Sequence, residues 1–247
     1  MSRAATSRPT REMDAARDRA ADAAVALVED GMVVGLGTGD TSRRFIERLA
    51  KRVKAERLKI QCVVTSESAA SRAREGGLKI RGLTDVPRVD LAVDGADEVA
   101  PSLDLIKGAG GAHTREKIVA ASADRFVVLV DASKLVHVLG EAYPVPVEVI
   151  PEAVHLVTRR LEALGATPMP RKALSGPGLW ITELGNTILD ARFARIEKPS
   201  VLAARLDGIP GVVEHGLFVG LASLVLVGDL QTESVRRLVP RGAGRRT

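Results

Sequence analysis

Apolar residues recur at helical spacing from Ala15 through Ala20, Ala23, Ala24 and Leu27 to Val28, and Gly31 then supplies a stop, so a first helix is predicted there. Residues 32–36 form a short apolar run that predicts a strand. Beyond Gly37-Thr38-Gly39, an amphipathic pattern with Phe45, Ile46, Leu49 and Val53 on one face predicts a second helix. The alternation continues with a strand at 60–64, a helix from the N-cap Ser66 to Arg74, a stop at Gly76-Gly77 and a strand at 78–80. Residues 89–93 predict a further strand ending at Asp94. A helix is expected from about 114 to 122, and 126–130 is the strongest strand signal of the chain. Strands alternating with helices predict an α/β fold with a doubly wound, mostly parallel sheet.

The texture changes near Tyr143, where Pro144, Pro146 and Pro151 bracket the apolar segment 147–150. A helix at 151–164, strands at 179–183 and 187–193, a helix at 200–206 and an apolar pair at 212–213 suit a small α+β module with an antiparallel sheet. Residues 218–227 read as a return to the first domain. The expected organisation is a Rossmann-like α/β catalytic domain from 1–140 and 218–247, interrupted by an inserted α+β domain at 141–217. No internal repeat is present.

Aromatic residues make up only 2% of the 247, so the core must be built from Val, Leu, Ile and Ala, as in parallel sheets covered by alanine-rich helices. A formal charge of +5 raises the question of a nucleic-acid partner. Much of that excess sits at the ends, in Arg3, Arg8, Arg11, Arg241, Arg245 and Arg246, and no interleaved aromatics offer a stacking surface, so none is expected. Cys62 is the only cysteine, which excludes disulfides and thiolate metal sites within one chain. No run approaches the ~18 apolar residues of a membrane span, and residues 1–11 lack the apolar stretch of a secretory signal, so a cytoplasmic protein with no membrane partner is expected.

Candidate chemistry is concentrated in three loops. Gly35-Leu36-Gly37-Thr38-Gly39-Asp40-Thr41 lies where a strand gives way to a helix, so free backbone N–H groups can cradle an anion. A dinucleotide fingerprint would need glycine where Asp40 stands. Tightness of the turn alone also explains such glycines. Asp94-Gly95-Ala96-Asp97-Glu98 follows an apolar strand, where ligands of open α/β sheets bind. Asp94 could instead simply cap a turn, and two aspartates without a histidine pair make a poor transition-metal site. Lys107-Gly108-Ala109-Gly110-Gly111-Ala112 brings an ammonium and backbone donors to the start of the next helix, where Glu116 falls in the first turn. A carboxylate base, a lysine to stabilise charge on oxygen, and aspartates to exchange hydroxyl protons are the parts for abstracting a proton beside a carbonyl.

From about 14 to 230 the chain resembles the type A ribose-5-phosphate isomerases. The phosphate-loop pattern at 35–41, Asp94-Gly95-Ala96-Asp97-Glu98 and the block from Lys107 to Lys117 carry the likeness. So do Asp131-Ala132-Ser133-Lys134, Pro146-Val147-Glu148-Val149, Gly185-Asn186 with Ile188-Leu189-Asp190, and Gly211-Val212-Val213-Glu214 with Gly216-Leu217-Phe218. The resemblance implies interconversion of ribose 5-phosphate and ribulose 5-phosphate through an enediol, without cofactor or metal. It implies Glu116, Asp94, Asp97 and Lys107 as catalytic residues. For substrate it implies Thr38, Gly39, Asp40, Thr41, Asp94, Gly95, Ala96, Asp97, Lys107, Gly108, Ala109, Gly110 and Lys134. It also implies a homodimer or homotetramer.

Three departures from that pattern stand out. Asp40 replaces a serine, and its charge would oppose a nearby phosphate; it is expected to turn away or pair with Arg43 or Arg44. His113 replaces an apolar residue and reads as helix-entry packing. Thr182-Glu183-Leu184 replaces a more polar turn. Two competitors are a sugar-phosphate-sensing regulator, for which residues 1–11 leave no room for a DNA-reading helix pair, and an amino-sugar phosphate deaminase, which lacks the block from Lys107 to Lys117.

Overall fold

The computed structural model describes residues 11–174 and 176–240. Of the terminal arginines named above, only Arg11 falls within them. The first α/β run is α1 (Arg11–Val25), β1 (Val33–Leu36), α2 (Asp40–Glu56), β2 (Gln61–Val64) and α3 (Glu67–Glu75). It continues through β3 (Leu91–Gly95), the two-residue strands β4 (Glu98–Val99) and β5 (Leu105–Ile106), α4 (His113–Ala121) and β6 (Phe126–Asp131). Next come β7 (Val145–Val149), α5 (Val154–Ala163), β8 (Thr167–Pro170), β9 (Thr187–Arg192), α6 (Pro199–Asp207) and β10 (Val212–His215). The chain closes with β11 (Leu217–Phe218), β12 (Leu224–Gly228) and β13 (Val235–Leu238).

The main sheet has the order β13-β12-β6-β3-β1-β2, parallel except for β13, which runs antiparallel to β12. Its inner strands β1, β3, β6 and β12 are Val- and Leu-rich and buried on both faces, as a sheet covered by helices on each side requires. One face packs against α1, α2 and α3 through Ala20, Ala24, Phe45, Leu49 and Ala73. The other packs on α4 through Val119 and Ala120, with Phe126 and Phe218. The alanine stripe lets α1 approach closely: a Cβ on Gly228 would stand 1.9 Å from the Ala16 carbonyl oxygen. The side chain of Ser66 accepts from Ala69 N and caps α3, as expected.

Strand order reverses between β1 and β3, since β1 is followed by β2 on one side while β3 lies on the other. Ligands of such sheets bind at the carboxyl ends of the strands at this point. Gly37 N donates to Val93 O at 2.9 Å there, joining the loops after β1 and β3.

A second, antiparallel sheet, β10-β7-β9-β8, packs α5 and α6 around Val147, Val157, Leu161, Leu189 and Leu206. A third, β11-β5-β4, connects the two regions. Several predicted elements differ. Residues 179–183 are irregular, with isolated bridges at Leu179 and Ile181 and a turn beginning at Glu183, and Gly176, Gly178 and Gly185 hold positive φ around them. Besides β7, β9 pairs instead with β8, which the sequence hides behind Pro168 and Pro170. Residues 78–80 contribute a single bridge, Ile80 to Cys62. The return at 218–227 divides, with Leu217 and Phe218 in the small sheet and Leu224 onward in the main one.

Candidate active site

Asp94 is the penultimate residue of β3 and its side chain is buried, so its charge must be met by donors. Oδ1 accepts from Thr38 N at 3.1 Å, Ser42 Oγ at 2.7 Å and Gly95 N at 2.7 Å. Oδ2 faces Lys107 Nζ at 3.0 Å. This carboxylate presses so close to the first loop that a Cβ on Gly37 would lie 2.1 Å from its carbon, which explains a glycine there.

Lys107 is carried in from β5, its N–H bound to Gly216 O at 2.9 Å. Its ammonium donates to Gly95 O at 2.7 Å and pairs with both Asp94 Oδ2 and, at 3.1 Å, Glu116 Oε2. The side chain is only 3% exposed. Burial alone would lower its pKa, but Asp94 and Glu116 outweigh that and raise it, so the lysine stays charged.

Glu116 stands in the first turn of α4, 5% exposed. Burial pushes its pKa up, the neighbouring Asp94 charge adds to that, and Lys107 only partly offsets them, leaving a value of about 8. A carboxyl that exchanges its proton near neutral pH can both take and return one. Asp97 accepts from Ala109 N at 2.9 Å, and burial raises its pKa as well.

The other end is the start of α2, which no side chain caps. Gly39 precedes α2 with φ 100° and ψ −178°, a conformation reserved for glycine, and leaves the first N–H groups of the helix open. Asp40 turns to arginines: Arg43 Nη2 at 2.6 Å, Arg44 Nε at 3.0 Å and Arg17 Nη1 at 3.5 Å. Partial burial would raise the Asp40 pKa, but hydrogen bonds from Arg43 and Arg44 prevail and lower it. The pairing expected for Asp40 is therefore present.

These groups surround one cleft of about 210 Å³. Thr38, Gly39, Asp40, Thr41, Gly95, Ala96, Asp97, Lys107, Gly108, Ala109, Gly110, Glu116 and Lys134 all line it. Asp94 does not; it lies beneath the wall, spent on Lys107 and the first loop. A neighbouring hollow of about 240 Å³, behind Thr38 and Gly110 and bounded by Trp180 and Thr182, lacks Lys107 and Glu116.

Sequence reading missed Arg17, which lines the cleft and is fixed by Asp131 Oδ2 at 2.8 Å. Nothing in the sequence of α1 separates Arg17 from its other arginines, Arg11 and Arg19. It also missed Arg171, which donates to Gly108 O and Ala109 O at 3.0 and 3.1 Å and so supports the glycine-rich loop. His113 opens α4 fully buried against Gly108, and burial first, then the nearby cations, push its pKa down to about 3, so it stays neutral. Thr182 donates to the buried Glu148 at 2.7 Å, while Glu183 binds Arg115 at 2.7 Å and accepts from Glu67 N at 3.0 Å. Among the described residues, Asp207, Glu214 and His215 bring three donor atoms within 4.8 Å of one another, but Lys117 already occupies Glu214 at 2.5 Å.

Residues 61–232 match the family model described as ribose 5-phosphate isomerase A (phosphoriboisomerase A). The ribose-5-phosphate isomerase A of a Synechococcus strain is 48% identical over 216 residues, covering 87% of this chain and 93% of its own. That of Methanothermobacter thermautotrophicus is 50% identical over 214 residues, covering 87% and 94%. The solved ribose 5-phosphate isomerase A of Methanocaldococcus jannaschii superposes with a TM-score of 0.88 at 43% identity, covering 92% of this chain and 99% of its own. A D-ribose-5-phosphate isomerase solved in complex with phospho-erythronic acid superposes with a TM-score of 0.89 at 42% identity, with the same coverage. With the model matching most of its length and these identities sustained over nearly all of it, the chain belongs to the ribose 5-phosphate isomerase A family.

Proposed function

We propose that this cleft interconverts D-ribose 5-phosphate and D-ribulose 5-phosphate, with Glu116 carrying the proton, Lys107 stabilising the enediolate and the loop at 38–41 holding the phosphate. The isomerase activity is that of the family to which the chain belongs. The observation that carries the residue assignment is the single buried ammonium of Lys107 between Asp94 and Glu116, at one side of a cleft that also contains an open helix N-terminus.

Glu116 removes the proton from C2 of the open-chain aldose, and the electron pair forms the C1–C2 double bond as the carbonyl oxygen O1 becomes negative. Lys107 meets that charge in a water-poor setting, where a fixed cation is most effective. Glu116 then returns the proton to C1 while the O2 proton moves to O1, leaving the ketone at C2. Asp97, which lines the cleft, serves that hydroxyl exchange. Asp94 acts through Lys107, since its oxygens are engaged beneath the wall. Arg17 and Lys134 add positive charge to the cleft. Phospho-erythronic acid, bound by the solved relative, carries a phosphate and a carboxylate, the two charges of an enediolate phosphate.

The same reading includes a cytoplasmic enzyme and a catalytic part formed by 1–140 and 218–247. It also gives the insert at 141–217 the contacts of a homodimer or homotetramer. Within that insert Met169, Ile181, Val201 and Val213 expose apolar side chains. No helix among the described residues is long and apolar enough to cross a membrane. A coupled assay that follows ribulose 5-phosphate formed from ribose 5-phosphate, with and without a chelator, tests the reading. Equal turnover in both arms is expected; no conversion, or conversion abolished by the chelator, would contradict it. Light-scattering mass in solution tests the oligomer, and a monomer would remove that part.

A further inference from the structure

Glu98 is the one acid of the Asp94-to-Glu98 segment that the mechanism above leaves unused. It is fully buried and lines neither cavity, so it does not touch substrate. Three backbone donors converge on it: Gly140 N reaches Oε2 at 2.7 Å, while Ala142 N and Tyr143 N reach Oε1 at 2.6 and 2.7 Å. A carboxylate taken out of water is tolerated when it collects donors in this way, and it fixes the segment that supplies them. The next residue, Val99, accepts from Val136 N at 3.0 Å. Glu98 and Val99 thus hold the loop between Lys134 and Tyr143 at both ends.

Tyr143, the only tyrosine of the chain, uses that anchorage on Lys134. Its hydroxyl lies 3.0 Å from Lys134 Nζ, and the same ammonium stands 4.6 Å from the centre of the ring. Lys134 lines the cleft and Tyr143 does not. A flexible four-carbon side chain is therefore held by an aromatic face and a hydroxyl, and a held cation loses less freedom when it binds an anion.

We infer that Tyr143 is a positioning residue for Lys134, seated by Glu98, and that the Glu98-Tyr143-Lys134 chain sets the affinity of the phosphate end of the cleft without contacting the reacting carbons. This rests on the reading of Lys134 as a cation for the substrate phosphate.

A double-mutant cycle tests it, with KM for ribose 5-phosphate and the inhibition constant of inorganic phosphate as readouts. Tyr143→Phe keeps the ring and removes the hydroxyl; it should raise both constants about three- to tenfold, the effect of one net hydrogen bond, while kcat stays within about twofold. Lys134→Met should raise both constants further, and adding Tyr143→Phe to it should change neither. Unchanged constants in Tyr143→Phe beside raised ones in Lys134→Met would overturn the inference, as would equal effects of Tyr143→Phe in both backgrounds. Unchanged constants in Lys134→Met would instead overturn the phosphate role of Lys134 itself. Glu98→Gln, if its thermal melt shows a folded protein, should reproduce the Tyr143→Phe pattern; a fall in kcat with KM unchanged would remove Glu98 from the chain. Should Glu98→Gln fail to fold, the Tyr143 and Lys134 cycle decides alone.

Discussion

Lys107 Nζ stands 3.1 Å from Glu116 Oε2, and the same ammonium binds Asp94 Oδ2, so one buried cation divides two buried carboxylates. Burial and the neighbouring Asp94 charge push the Glu116 pKa up to about 8, and Lys107 only partly offsets them. Acid–base function and its pH range follow from that pairing.

With a Glu116 pKa of about 8 in the free enzyme, kcat/KM should fall roughly tenfold per unit as pH drops below that value, because the protonated carboxyl cannot accept the C2 proton. Above it Glu116 is ionised, and the raised pKa of Lys107 keeps its ammonium charged through the same range. A profile of kcat/KM that is flat from pH 6 to 9 would contradict this.

Lys107→Met should reduce kcat by about 10²–10³, the usual consequence of losing a charge stabiliser at a developing oxyanion. It should also move the acid limb of the pH profile upward, since Lys107 is what lowers the Glu116 pKa against burial and Asp94. A downward shift of that limb would count against the pairing.

Asp40→Ser should change KM by less than about threefold, because arginines already neutralise the carboxylate where it lines the cleft, and surface ion pairs of this kind contribute little. A large drop in KM would show that Asp40 repels the substrate phosphate.

Gly37→Ala places a methyl 2.1 Å from the Asp94 carboxylate carbon, so the loop or the carboxylate must move. A stability loss of about 1–3 kcal/mol by denaturant titration is expected, with a fall in kcat as Asp94 loses its hold on Lys107. A variant as stable and active as the parent would show that Asp94 need not sit there.

The clustering of Asp94, Lys107 and Glu116 was legible because each lies at a strand end or helix start that local pattern marks. Asp94 closes an apolar run, Lys107 opens a glycine-rich loop, and Glu116 enters a helix. The glycines at 37 and 39 were visible as a turn, and the structure adds what they make room for: a carboxylate in one case and an open helix end in the other. Arg17 and Tyr143 were not legible, because helix packing brings Arg17 to the cleft and Glu98's grip on the 140–143 loop seats Tyr143. Strand β8 was missed because Pro168 and Pro170 suggest a loop, yet prolines are accepted where a strand lies at the edge of its sheet, as this one does. The false strand at 179–183 came from the apolar trio Leu179, Trp180 and Ile181, of which Trp180 and Ile181 instead line the hollow beside the cleft. Strands β4 and β5 are two residues long, too short for any periodicity to register.

The central claim is that Glu116 moves the substrate proton, and Glu116→Gln, which keeps the shape of the side chain and removes its basicity, addresses it directly. Measured with ribose 5-phosphate in D₂O, the variant should lose about 10²–10⁴ in kcat and, in the same proportion, the incorporation of solvent deuterium at C1 of ribulose 5-phosphate, while KM changes little. Activity and deuterium incorporation within about tenfold of the parent would contradict the account, because base catalysis contributes more than that.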